Sequence, residues 1–254
     1  MTTDLSRRKL LMRGLAATAG VSALGAAARI AQKYGLIPPD HRGIYGPGET
    51  LTYASQRLLT RHSLAREFPQ TQISNPPLAN EMPPLNEAFK SLQAGGFADW
   101  RVSVDGLVDR PASFSLAQLK SYPSRRQITQ LQCEEGWSYI AEWIGVPLSH
   151  VLDAVGIRPQ ARYIVYFSID PDWWDSIDMA DAWHPQTFLT YGMNGHELPV
   201  GNGGPLRIRL PRQLGYKSVK FITHLTVTRS LKGYGKGSAS ASPEGGSYAW
   251  YAGI

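Results

Sequence analysis

The sequence predicts an α+β chain, mainly β, and three observations carry that prediction. Of its 254 residues, 25 are Gly and 18 are Pro, which leaves little room for long uninterrupted helices. Alternating polar and apolar runs such as Arg101 to Val104 recur with turn residues between them. The hydrophobic share is 43% and the charged share 18%, enough for a sizeable core and too apolar for a chain disordered throughout.

Residues 1–28 read as a targeting segment, with a basic stretch from Ser6 to Arg13, an apolar stretch from Gly14 to Ala28, and small residues Ala26 to Ala28 at a cleavage point. Ser6, Arg7, Arg8, Lys9, Leu10 and Leu11 resemble the twin-arginine export signal. That route carries proteins already folded, so it implies a periplasmic location and an inserted cofactor. The alternative is an amphipathic N-terminal helix that stays on the mature protein.

From Gln32 to Gly96, Pro38-Pro39, Pro76-Pro77 and Pro83-Pro84 point to extended wrapping segments with one short helix at Asn86 to Ala94. Beyond Trp100 the sequence predicts a strand at Arg101 to Val104, a turn at Asp105-Gly106, and a short helix at Ser115 to Ser121 capped by Ser113 or Ser115. Ile128 to Gln132 reads as a strand ending on Cys133, Pro147 to Val155 as an amphipathic helix, Tyr163 to Ile169 as a strong strand, and Pro185 to Tyr191 as a helix. Asn194-Gly195 marks a tight turn before strands at Leu206 to Leu210 and Phe221 to Val227. The resulting organisation is a leader at 1–28, a Pro-rich wrapping region at 29–96, a core at 97–232 and a Gly/Ser-rich tail at 233–254 whose Tyr248, Trp250 and Tyr251 can dock.

Half of the formal net charge of +6 lies in residues 1–28, where Arg7, Arg8, Lys9 and Arg13 stand against Asp4. The remaining basic residues lack the runs with stacking aromatics that single-strand binders use, which argues against a nucleic-acid partner. Cys133 is the only cysteine. It excludes internal disulfides, all-cysteine zinc sites, iron–sulfur clusters and covalent haem.

Three groups of residues can carry chemistry. Cys133, followed by Glu134, Glu135, Gly136 and Trp137, is either a buried core thiol or a metal-bound thiolate, and export to an oxidising compartment weakens the first reading. Asn202 to Lys220 holds Arg207, Arg209, Arg212, Lys217 and Lys220 with no acidic residue, and reads either as an anion clamp or as a solvated basic hairpin. The acidic and aromatic run Asp170 to His184 reads as a lid over a pocket or as a surface loop. A Cys-His hydrolase using Cys133 with His62, His184 or His224 is a further formal possibility, with no accompanying motif.

The Cys133 run, then Trp143, Gly145, Val146, Pro147 and Leu148, then Asn194-Gly195, then Asn202 to Arg207, and finally Gly215 to Lys220 resemble the sulfite oxidase-like molybdopterin oxidoreductases. Within that family the chain is most similar to the twin-arginine-exported bacterial branch that includes the catalytic subunit of the periplasmic methionine sulfoxide reductase. The likeness covers about residues 97 to 230.

It implies a sulfite oxidase-like molybdopterin-binding fold in a single domain and molybdenum held by a molybdopterin and by the Cys133 thiolate. It implies cofactor contacts from Ser168, Asn202, Arg207, Ser218, Val219 and Lys220 and, by a looser match, Arg61 and His62. Sulfite oxidases place an Arg-bearing stretch after the metal-ligand Cys, whereas Glu134 and Glu135 stand here and would repel a small dianion. The expectation is therefore oxygen-atom transfer to or from a small-molecule substrate such as an S-oxide or N-oxide, by a monomeric catalytic subunit served by a membrane cytochrome b. The alternatives are a sulfite dehydrogenase passing electrons to a cytochrome and, in a different class, a non-catalytic exported binding module.

Overall fold

A computed structural model of the protein describes residues 29–31, 35–39, 46–79, 83–84, 86–235, 237 and 248–254. The leader read at 1–28 and the Gly/Ser-rich run at 238–247 lie outside the described residues. The chain forms two units, residues 1–59 and 60–254. No helix among the described residues is long and apolar enough to cross a membrane.

The first unit contains helix α1 (Gly46–Leu59). The extended reading of this region misses it, for a local reason. Pro47 sits in the first helical turn, where a missing N–H costs nothing, and no further proline occurs before Pro69. The Thr50 hydroxyl donates to the Gly46 carbonyl at 2.7 Å, and the Arg57 guanidinium lies 5.1 Å from the Tyr53 ring one turn earlier.

In the second unit, α2 (Glu87–Ala94) starts where its sequence predicts, the Asn86 side chain accepting from the Phe89 amide at 2.8 Å. Helix α3 (Leu116–Ser121) is capped by Ser115 rather than Ser113, and the Ser115 and Gln118 side chains cap each other's backbone amides. Helix α4 (Leu148–Val155) buries Leu148, Val151, Leu152 and Val155 on one face, and α5 (Met179–Ala182) is a single turn capped by Asp178.

Among the described residues ten strands make two sheets. The first has the order β2 (Ala112–Ser115), β1 (Arg101–Gly106), β10 (Ile222–Thr228), β5 (Tyr163–Ser168), β6 (Trp174–Asp178). The second has the order β3 (Arg125–Gln132), β4 (Ser138–Pro147), β7 (Phe188–Met193), β8 (His196–Glu197), with β9 (Arg207–Arg209) also paired to β7. The main core takes Val102, Val104, Ile164, Ile177, Ile222 and Leu225 from the first sheet and Val146, Leu189 and Ile208 from the second, with α3 and α4 packed in. A smaller cluster, built on Leu131, Tyr139, Ala141, Trp143, Met193 and Leu198, belongs to the second sheet alone.

Two expectations are corrected and a third is divided. Pro185 to Tyr191 is not helical, because its apolar residues enter β7, in which all six residues are buried. A short run buried on both faces has no alternation to separate strand from helix. Asp105-Gly106 continues β1 and does not form the turn. Asp170 to His184 divides, since Asp170 and Trp173 line a cavity as the lid reading expects, whereas Trp174 to Asp178 is an edge strand whose Asp175 is buried. The Asn194-Gly195 turn forms as expected, with φ of 51° and 79°.

Candidate active site

Strand β3 delivers Cys133 to one wall of a cavity of about 200 Å³. The turn that follows is closed by the Cys133 amide donating to the Trp137 carbonyl at 2.9 Å and the Gly136 amide to the Cys133 carbonyl at 3.2 Å. It leaves the thiol half-buried, 3.4 Å from Glu134 Oε2 and 3.7 Å from Glu135 Oε2. Trp137 Nε1 donates to Glu135 at 2.7 Å and holds that carboxylate at the cavity. Burial, and then the two carboxylates, push the thiol up to about 12. Left alone the sulfur stays protonated, and a thiolate requires a positive partner inside the cavity.

Seven of the nine predicted site residues converge here: Cys133, Ser168, Asn202, Arg207, Ser218, Val219 and Lys220 all line the cavity. Ser168 ends β5, Arg207 begins β9, and the segment after the single helical turn Gly215–Lys217 supplies the last three. Gly203 makes the close approach possible. Its φ is 104°, and a Cβ there would meet Lys220 Cγ at 2.8 Å and Arg207 Cβ at 3.3 Å. Phe221, also in the wall, has a φ of 58°, a left-handed strain of order 1 kcal/mol for a non-glycine residue beside the site.

Arg61 and His62 are exposed and do not line the cavity. The Arg61 carbonyl instead accepts from Arg212 Nη1 at 3.0 Å. The basic run also divides. Lys217 is fully buried on Asp175 and the Ser176 carbonyl, and Arg212 lies 3.9 Å from Asp181, so both serve the fold. Only Arg207 and Lys220 of that run reach the cavity, and the solvated-hairpin reading fails because every one of its four other members besides Lys220 is buried.

Sequence reasoning gave no site role to Tyr139, Trp137 and Tyr216, which also line the cavity, whereas Asp170 and Trp173 line it as the lid reading of Asp170 to His184 expects. The signal for Tyr139 was present. Tyr139, Ala141 and Trp143 alternate along β4 and all face inward. Among the described residues no histidine lines the cavity, so the hydrolase pairing finds no base there. His184 is engaged by Ser63 and Gln186, and His224 lies 3.0 Å from Asp105 in a different groove.

The floor asks for an anion. Arg207 is buried, donates to the Asn202 carbonyl at 2.7 Å and the Ser218 carbonyl at 2.5 Å, and leaves Nε without a partner. No carboxylate pairs with it among the described residues. An uncompensated buried cation is costly, and a phosphate-bearing group in the cavity would supply the missing charge. Asn202 Nδ2 reaches the Leu78 carbonyl at 3.2 Å and the Tyr139 hydroxyl at 3.3 Å, which fixes it at the same wall. A single thiol and a buried guanidinium without a carboxylate, both in the lining of one cavity, fit a molybdopterin, which would offer a soft metal to the first and a phosphate to the second.

Comparison with known proteins agrees. A protein of Azospira oryzae provisionally named protein-methionine-sulfoxide reductase subunit YedZ1 is 37% identical over 178 residues, 69% of this chain and 65% of that protein. The protein-methionine-sulfoxide reductase catalytic subunit MsrP of Ralstonia nicotianae is 36% identical over 50% of this chain and 43% of its own length. The chain thus matches less than two thirds of the length of either relative. The solved sulfane dehydrogenase SoxCD of Paracoccus pantotrophus shares the fold with a TM-score of 0.50 at 23% identity, covering 52% of this chain and 39% of that one. Residues 90–233, which hold every cavity-lining residue except Pro84, match the model of the oxidoreductase molybdopterin binding domain, and the chain belongs to that molybdopterin-dependent oxidoreductase family.

Proposed function

We propose that this protein is a molybdenum–molybdopterin oxidoreductase that reduces a neutral S-oxide or N-oxide by oxygen-atom transfer. The observation that carries the reading is the mixed charge of the cavity lining, with the carboxylates of Glu134 and Glu135 beside Cys133 and the cations Arg207 and Lys220 in the same lining. Arg207, Lys220 and Asn202 would hold the cofactor's anionic end, and Cys133 would ligate the metal. When bound, the metal centre supplies the two-electron change that oxygen-atom transfer requires. The reaction consumes two electrons and two protons and releases water with the reduced substrate. The names of the two methionine-sulfoxide reductase relatives support an S-oxide.

The carboxylates argue against a small dianion. At about 6 Å and an effective dielectric near 20, each unit charge repels another by about 3 kcal/mol, and less for the exposed Glu135 than for the half-buried Glu134. Reduced protein is expected to turn over methyl sulfoxides, with sulfite oxidised at least about a hundredfold less efficiently in kcat/KM. Efficient sulfite oxidation without S-oxide turnover would reverse the assignment to sulfite dehydrogenase.

The electron donor in this reading is a membrane cytochrome b, and the protein acts in the periplasm after twin-arginine export. Arg7 and Arg8 support the export route. Changing both to Lys is expected to leave loaded precursor in the cytoplasm, and normal periplasmic recovery of that variant would remove the route from the account.

A further inference from the structure

Arg207 does not stand alone behind the cavity. Arg209 follows it by two residues on β9, so the two side chains share a face. Trp143 lies between them, with its ring centre 5.5 Å from the Arg207 guanidinium carbon and 5.0 Å from that of Arg209. Arg209 is 0% exposed. Its Nη2 donates to the Gln130 carbonyl at 2.6 Å and lies 3.4 Å from Thr129 Oγ1, while Nε and Nη1 have no partner.

The contrast within this one chain is informative. Buried Lys217 is matched by Asp175 and buried Arg212 by Asp181, so where a buried cation serves the fold an acid accompanies it. At Arg207 and Arg209 no acid stands among the described residues, and two like charges share one indole. Burial, and then the charge of Arg207, draw the Arg209 guanidinium down to about 9. Cation–π contact with Trp143 offsets part of this cost and cannot remove a net double charge.

We propose that Arg209 is a positioning residue for the cofactor, a second buried positive charge that acts through Trp143 and Arg207 to hold the anionic group of molybdopterin. The inference rests on the cavity's being the molybdopterin site. It assigns Arg209 a cost in the empty protein and a gain in the loaded one, which a purely structural residue would not show.

The test uses the full chain with Arg209→Met, Arg209→Lys and Arg207→Ala, each made in a host that produces molybdopterin and in one that does not. Arg209→Met removes the charge at similar volume, so the cofactor-free variant is expected to melt at or above the wild-type temperature. Its loaded form is expected to lose pterin at least about tenfold faster on dialysis. Arg207→Ala, which removes the direct donor, is expected to lose it about ten- to a hundredfold faster. Arg209→Lys keeps the charge and is expected to retain pterin within about threefold of wild type, which preserves the test if the Met variant does not fold. Unchanged pterin retention in Arg209→Met, or a lower cofactor-free melting temperature with retention falling only in proportion, would overturn the proposal, as would Arg209→Lys losing pterin as fast as Arg207→Ala. A wild type that binds no pterin would fail at the reading beneath it, and that outcome is visible from the wild type alone.

Discussion

Replacing Cys133 by Ser is expected to lower S-oxide reduction by more than about a hundredfold while the melting temperature stays within a few degrees of wild type. The asymmetry follows from where the side chain sits. Cys133 is half-buried in a turn closed by backbone hydrogen bonds, and its thiol meets the cavity and two carboxylates rather than the core. Serine preserves the backbone and roughly the volume, but its hard oxygen is a poor ligand for a soft metal centre. Steady-state reduction of a methyl sulfoxide, read beside a melting curve, checks both halves. Wild-type turnover by the Ser variant would remove the thiol from the chemistry.

Lys217→Met is expected to have the largest effect on stability. The Lys217 ammonium is fully buried, bonded to Asp175 and to the Ser176 carbonyl, and sits 5.3 Å from the Trp250 ring centre. Removing it strands the Asp175 carboxylate, also buried, at a cost of about 3 to 5 kcal/mol, or roughly 10 °C in a domain of this size. The double variant Lys217→Met with Asp175→Leu should recover most of that loss, because neither charge then remains.

The pair also sets a pH dependence. Burial outweighs the attraction of Lys217 and raises the Asp175 carboxyl from 3.8 to about 6. A raised acid holds its proton more tightly when folded, so its stabilising contribution is complete below about pH 4 and is lost as pH rises through 6. Wild type minus Asp175→Asn should show this decline in denaturation midpoints between those values, and a flat difference would contradict it.

Much of this fold could be read from the sequence, and what escaped did so for identifiable reasons. Strands with one wet face, such as Arg101 to Gly106, announce themselves by alternation, and caps such as Ser115 and Asn86 by residue type. Strand β7 is buried throughout and offered no period, and α1, which starts at Gly46, was hidden by Pro47 in its first turn and by Pro38-Pro39 before it. Cys133 and the residues from Asn202 to Lys220 were legible as a site because their chemistry is unusual, a lone thiol behind a leader that resembles an export signal and a basic run without acids. Which of those cations face the cavity was not legible. Lys217 and Arg212 find their acids on Asp175 and Asp181, 42 and 31 residues away along the chain, and only the packing of β6 and α5 against that loop brings them together.

The account stands on the cavity's holding molybdenum and molybdopterin between Cys133 and Arg207. Metal and pterin analysis of wild-type protein, purified from a host whose other molybdenum enzymes are loaded, tests this most directly. The account predicts about one molybdenum and one pterin per chain. Protein that is folded, carries neither, and takes up neither on reconstitution would contradict it.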